Sequence, residues 1–368
     1  MSKNHLRDLE EFLKVLSPRI QADLHKWYGE NAKLSREPTF QSRDWSFFFR
    51  YFVQVSESEN YVVLVKIRHL QNMSIADAIL DPEMKEESKN EFWSLRKLRK
   101  IFADFNNGSF FTIRDLAWYE DLNAVVMEEA EIRTLKSFYQ DPALWFFQNA
   151  QKKFKGNLWL TGRWLHIFHT NIGSVQNGSV FSEILYKNAL MNLGKIESFT
   201  QLSDLAITKE LLHDLYKIYS KRNMPYGVIH DNFSTSNVFV TEDGEICSFD
   251  PHNKVGPLSL DLAKFITDME TNRIQVITNG LVLPAPRMKE YIDSFLKGYF
   301  LGESHGDYYL SLYRLISLIQ KWEENENTYS NLTGNNKLIY YFGLKRMRKY
   351  FSKLLIEQNK QVQKLLFV

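Results

Sequence analysis

VIHDNFSTSNVFVTEDGEICSFDPHNKVGPLSLDLAK, residues 228–264, is the stretch that decides the fold. His230 stands seven residues before Asn237, and Asp250 follows thirteen residues after that. Short β-type runs flank both positions, and the polar segment TEDG between them is a turn signal. The stretch therefore reads as strand, polar loop, short hairpin, second polar loop and helix.

Working outward, the chain has 368 residues, enough for two domains or one large two-part domain. Its 44% hydrophobic content fits a globular protein with a sizeable core. A net charge of +2 gives no case for nucleic-acid binding. The single cysteine, Cys247, excludes an intramolecular disulfide and any zinc cluster built on thiolates, which suggests a reducing, cytoplasmic setting. The opening MSKNHLRDLEEFLKVL alternates charged with apolar residues and is not expected to be a signal peptide. No apolar run approaches the length of a membrane span.

The expected class is α+β, with no internal repeat. The first 35 residues read as helix, with Leu6, Leu9, Phe12, Leu13 and Leu16 on one face. Trp45–Ser56 and Tyr61–Arg68 read as strands around the turn Glu57–Asn60, Glu83–Phe102 as a helix, and Phe110–Leu116 and Ala124–Glu129 as further strands. Helices are expected at Leu144–Lys155, Leu158–Thr170, Glu183–Leu193 and Lys209–Arg222, and again after the β-rich stretch 226–250. This predicts a helical extension over 1–38, a small β-rich lobe over 39–130, a connector near 128–134, and a large helical lobe over 131–368.

The motif residues resemble those of the aminoglycoside phosphotransferases and choline kinases, relatives of the protein kinases. Members of that group commonly read H-G-D-x-x-x-x-N, then [IV]-D-[FW], with G-P and D-L-A beyond. His230, Asn237, Phe249, Asp250, Gly256, Pro257, Asp261, Leu262 and Ala263 fall into that register. The close match spans about 35 residues, and a looser match to the kinase layout covers about 45–265. The resemblance implies a two-lobed, protein-kinase-like fold and phosphoryl transfer from ATP with Mg²⁺. It implies that Asp250 and Asn237 hold the metal, that Asp261 braces the loop, and that Lys66 contacts the nucleotide phosphates. Lys66 lies in the apolar run VVLVKI, where an unpaired charge is expensive. Its expected ion-pair partner is Glu91, with Glu87 second. Val126, Met127, Glu128 and Glu129 read as the connector whose backbone binds adenine. The usual glycine-rich loop is absent, and Ser42–Ser46 is its nearest counterpart.

Where such loops carry the catalytic aspartate, this chain has Asn232. A neutral amide cannot take a proton at pH 7, so three explanations stand. The base has been replaced by its least disruptive neutral analogue, Asp231 serves as the base, or the chain is a catalytically silent pseudokinase. His230 is expected to hold the loop rather than carry a proton.

Only ten residues of loop separate Asp250 from Asp261, and no A-P-E motif is present, which disfavours a protein acceptor. A small molecule or glycan hydroxyl is expected. The aromatic segment from Phe138 to His169 reads either as core helices or as an acceptor groove. In GLKRMRKYFSKLL, the apolar residues Leu344, Met347, Phe351, Leu354 and Leu355 share one helical face, and Lys345, Arg346, Arg348, Lys349 and Lys353 occupy the rest. That pattern suits either a helix packed on the large lobe or peripheral contact with an anionic membrane through 344–355, which would favour a lipid-linked saccharide acceptor in cell-surface polysaccharide assembly.

Overall fold

The computed structural model describes residues 3–43, 45–105, 108–129, 132–173, 176–200, 202–302, 309–330 and 337–367. The chain forms two compact units, Met1–Ile132 and Arg133–Val368.

The first unit begins with helix α1 (Lys3–Tyr28). The predicted 35-residue helix is shorter, because Gly29 takes φ +92 and its amide caps the His25 carbonyl at 3.0 Å. Leu6 lies outside the described side chains. Strands β1 (Lys33–Leu34), β2 (Thr39–Arg43), β3 (Ser46–Gln54) and β4 (Asn60–Arg68) follow. Helices α2 (Ile75–Leu80) and α3 (Pro82–Ala103) precede β5 (Asp115–Tyr119) and β6 (Ala124–Glu128). The antiparallel sheet runs β1-β3-β4-β6-β5, with β2 also pairing β3. Alternation along the strands sends Phe47, Phe49, Tyr51, Val63, Val65 and Ile67 into one cluster, which α1 covers with Phe12, Leu16, Ile20 and Leu24. Lys66 alternates out of that cluster, with Phe48 and Val125 as its cross-strand neighbours. The strand expected at 110–116 lies later, at 115–119. The turn through Glu120–Leu122 and the left-handed Asn123 sets its register against β6, pairing Tyr119 with Ala124.

The second unit opens with β7 (Arg133–Thr134), α4 (Leu135–Tyr139), α5 (Pro142–Phe146) and α6 (Gln148–Asn171). The two helices predicted over 144–170 are instead the short α5 and one continuous α6. Strand β8 (Gln176–Ser179), α7 (Glu183–Phe199) and α8 (Ser203–Tyr219) lead to β9 (Asn223–Ile229), β10 (Val238–Val240), β11 (Ile246–Ser248) and β12 (Lys254–Pro257). Helices α9 (Ser259–Glu270), α10 (Arg273–Thr278), α11 (Ala285–Tyr299), α12 (Leu310–Ser330) and α13 (Lys337–Gln363) complete the unit. The strands form two antiparallel sheets, β11-β10-β7 and β12-β9-β8. Helices α6 and α11 approach backbone to backbone. A Cβ on Gly162 would sit 2.1 Å from the Phe295 carbonyl, and one on Gly298 would sit 2.0 Å from that of Trp159.

The basic helix α13 corrects the membrane expectation. Met347, Phe351 and Leu355 are fully buried, packed into a core that includes Trp322, Leu315 and Leu215. Phe351 stacks on Trp322 at 5.6 Å between centroids. The apolar face that membrane insertion would need is thus core, because the helix closes the hydrophobic interior of its own unit. Arg348 forms a two-pronged ion pair with the buried Glu326 at 2.9 Å. No helix among the described residues is long and apolar enough to cross a membrane.

Candidate active site

In the first unit, Lys66 is 3% exposed, and its Nζ donates to Glu91 Oε1 and Oε2 at 2.8 and 2.9 Å. Strand β4 places Arg68 two residues on, so it shares that side of the strand. Its Nε donates to the same carboxylate at 2.8 Å. Glu87 meets Arg68 at 3.5 Å rather than pairing with Lys66. Lys66 and Arg68 are thus balanced by Glu91 and Glu87, in a cluster of charge-assisted contacts.

The connector residues are anchored in the sheet. Met127 is buried in β6, the Glu128 amide donates to the Arg114 carbonyl at 2.9 Å, and that of Glu129 to Val62 at 2.8 Å. The Glu128 carboxylate takes the Tyr28 hydroxyl at 2.8 Å, and Glu129 pairs with Arg50 at 2.8 Å. Ala130 and Glu131 lie outside the described residues. Ser42 and Arg43 end β2, and Arg43 pairs with Ser46 of β3. Ser42–Ser46 is therefore the tight end of a hairpin, with Asp44 outside the described residues.

In the second unit, pairing of β12 with β9 sets Lys254 opposite Ile229 and brings the loop after β11 beside the loop after β9. The His252 amide donates to the His230 carbonyl at 2.9 Å, and the Phe249 amide to that of Asn237 at 3.0 Å. Asp261, near the start of α9 and fully buried, accepts the His230 amide at 2.6 Å, the Asp231 amide at 2.8 Å and His169 Nε2 at 2.9 Å. His230 is also fully buried, with Nε2 against the Ser248 hydroxyl at 2.9 Å. Burial holds its imidazole down at about 4, so the ring is neutral at pH 7 and packs rather than shuttles protons.

Asp231 and Asp250 both adopt φ +63, a left-handed conformation unusual for side-chain-bearing residues but tolerated by Asp. Asp231 occupies the place of the glycine in the resembled motif. Its carboxylate contacts Lys264, Lys254 at 2.7 Å and His252 at 3.7 Å. Burial pushes this carboxyl up, but the neighbouring imidazole and the two ammonium groups outweigh it and hold the group far below the usual carboxylate range. Asn232 Nδ2 donates to Asp250 Oδ2 at 3.0 Å, and Asn237 Nδ2 donates to the Asn232 carbonyl at 2.8 Å. The structure thus brings Asn232, Asn237 and Asp250 into one hydrogen-bonded group. With its amide nitrogen engaged, Asn237 presents its side-chain oxygen, and Asp250 adds a carboxylate. Both are the donor type Mg²⁺ takes. No group of three or more His, Cys, Asp or Glu among the described residues could hold a metal alone.

Several partners escaped the sequence reading. His169, at the end of the aromatic segment, links Asp261 to the Tyr299 hydroxyl. Lys264 stands one helical turn after Asp261, a spacing that could have flagged it. Beside the loop, a cavity of about 310 Å³ is lined by Asn232 and by α12 residues Ser317, Gln320, Lys321 and Glu324. Their spacing puts them on one face of α12, a signal present in a region where no motif was found.

No protein-family model matches the chain, and no curated protein matches it. Solved structures do. An ethanolamine kinase of Plasmodium vivax is 13% identical, with a TM-score of 0.52 over 95% of this chain and 90% of that one. An amicoumacin kinase, solved with AMP-PNP and Ca²⁺, is 14% identical, with a TM-score of 0.52 over 96% of each chain. A choline kinase of Cryptosporidium parvum is 12% identical, with a TM-score of 0.51 over 96% of this chain and 99% of that one. The resemblance carried by the loop motifs is borne out at the level of the fold: the chain has the two-lobed, protein-kinase-like fold of the choline, ethanolamine and antibiotic kinases.

Proposed function

We propose that the chain binds ATP with Mg²⁺ and transfers phosphoryl groups to the hydroxyl of a small molecule. The observation that carries this reading is the buried Lys66–Glu91 pair, joined by Arg68, in a kinase fold. A buried ion pair contributes little net stability, so a paired lysine at this place in the fold supports a role toward a ligand. Lys66 and Arg68 would meet the nucleotide phosphates, and Asp250 and Asn237 would hold the metal. Bound Mg²⁺ would neutralise charge on the transferring group.

The proton is the weak point. Asn232 cannot accept it, and Asp231 is held too acidic by Lys264 and Lys254 to be an effective base. Turnover of the chain as it stands is therefore slow. The Asn232–Asp250 hydrogen bond favours a second reading, a nucleotide-binding protein without catalysis.

Thermal denaturation tests the nucleotide site directly. ATP with Mg²⁺ raises the melting temperature by mass action, and Asp250→Ala removes the Mg²⁺-dependent part of the rise. No shift at millimolar ATP and Mg²⁺ sinks both readings.

A further inference from the structure

We propose that the acceptor is a small, uncharged polyhydroxylated molecule of monosaccharide or cyclitol size, seated between the 230–237 loop and the polar face of α12. This rests on the phosphotransferase reading and adds the class of acceptor. The cavity beside Asn232, about 310 Å³, is at the small end of ligand sites.

Its lining alternates donors with acceptors. Lys321 lies 3.7 Å from Asp268 and 3.6 Å from Glu324, beyond hydrogen-bond reach of both, and its ammonium makes no hydrogen bond among the described residues. Ser317 is 5% exposed, and its buried hydroxyl has no hydrogen-bond partner. Buried polar atoms are ordinarily paired, so this hydroxyl, on a residue that lines the cavity, is a candidate partner for a polar ligand atom. Gln320 and Glu324 stand on the same face of α12, their side chains joined at 2.9 Å. A hydroxyl group both donates and accepts, so a ring of hydroxyls can use ammonium, hydroxyl, amide and carboxylate groups together.

The same wall disfavours a quaternary-ammonium alcohol. Such cations are recognised by open aromatic faces. Phe233, the one Phe, Tyr or Trp among the described residues of the lining, is 1% exposed. The three lysines of the lining, Lys254, Lys264 and Lys321, are balanced in formal charge by Asp231, Asp268 and Glu324, so the cavity as a whole selects neither a cation nor an anion.

Saturation-transfer NMR on the full chain provides the test, with myo-inositol, glucose, galactose and mannose against choline and ethanolamine as probes. At least one polyol should bind at millimolar concentration, and choline should not. Lys321→Gln should weaken polyol binding about tenfold, the loss expected for a charged hydrogen-bonding group. Ser317→Ala, which removes one hydroxyl, should weaken it less. The ATP–Mg²⁺ melting shift, measured on the same samples, separates the two readings. If ATP binds but no polyol does, the acceptor inference alone is overturned; if ATP does not bind, the phosphotransferase reading fails and takes this inference with it. Choline binding, or polyol binding indifferent to Lys321→Gln in a variant that keeps its melting temperature, also overturns it.

Discussion

Glu91 and Asp261 are both buried carboxylates, one in each unit, and different kinds of partner satisfy them. Glu91 is held by two cations, Lys66 and Arg68. Asp261 is held by two backbone amides and the His169 imidazole. The first carboxylate positions positive charge, which a ligand can then use. The second fixes the path of a loop, which determines where Asn232 and Asp250 stand. The difference separates charge placed for binding from charge placed for geometry.

Replacing each carboxylate by its amide probes the contrast. Glu91→Gln removes the buried carboxylate that Lys66 and Arg68 share, Arg68 keeping its longer contact to Glu87, and should cost about 3–5 kcal/mol in urea denaturation. Asp261→Asn keeps one acceptor oxygen for the loop amides and should cost less, about 1–3 kcal/mol. Equal losses would break the comparison, because they would show that Asp261 also acts chiefly as a charge.

The next test places a carboxylate at position 232. Asn232→Asp should raise phosphoryl transfer by about 10²–10⁴-fold in the presence of Mg²⁺, the usual contribution of a positioned base. It also replaces the hydrogen bond to Asp250, now 3.0 Å, with a repulsive contact between carboxylates. The variant should therefore melt lower than the parent without Mg²⁺ and recover when the metal is added. A transfer rate unchanged by the substitution would favour the silent nucleotide-binding reading.

What could be read in advance divides along the same line. The loop geometry was legible because its signals are local: a histidine, an asparagine and an aspartate at fixed spacing around a short hairpin. The Lys66–Glu91 pair was legible from chain order, since a lysine inside VVLVKI demands a partner. Longer-range packing was not. The sequence reading ends one helix at Lys155 and starts the next at Leu158, yet α6 runs through Gly156 because Phe154, Leu158 and Leu165 are buried, and that outweighs roughly 1 kcal/mol of glycine propensity. The α12 face from Ser317 to Glu324 gained meaning only when folding set it across from a loop some eighty residues earlier. The apolar face of α13 looked suited to a membrane because sequence alone does not say which surface covers it.

The buried imidazole of the loop gives a pH test. His230 titrates near 6.5 when unfolded and is held at about 4 in the fold by burial. Between those values the unfolded chain binds more protons, so acid favours unfolding. Its contribution is fully present above pH 6.5 and shrinks as pH falls to 4, by roughly 3 kcal/mol. Stability measured by urea denaturation should fall over that window, and His230→Gln should flatten the fall even though it lowers stability at pH 7. An unchanged slope would show that His230 does not carry the effect.

The smallest expected effect concerns the two lysines on Asp231. Lys254 is 66% exposed, whereas the Lys264 side chain is 23% exposed and also donates to the Asp231 carbonyl at 2.9 Å. Water screens the first contact, and an exposed pair contributes about 0.2–1 kcal/mol at most. Lys254→Gln should therefore change stability by less than about 0.5 kcal/mol and should matter less as salt rises. Lys264→Gln removes a charge and a backbone hydrogen bond together, and should cost about 1–3 kcal/mol. The depressed Asp231 carboxyl contributes stability above its unfolded pKa, near 3.9, and loses it as pH falls further toward its lower folded value. Acid titration below pH 4 should accordingly be gentler in Lys264→Gln than in Lys254→Gln. The reverse order would mean that the exposed lysine holds the loop charge, and that geometry in the second unit depends on its surface rather than on α9.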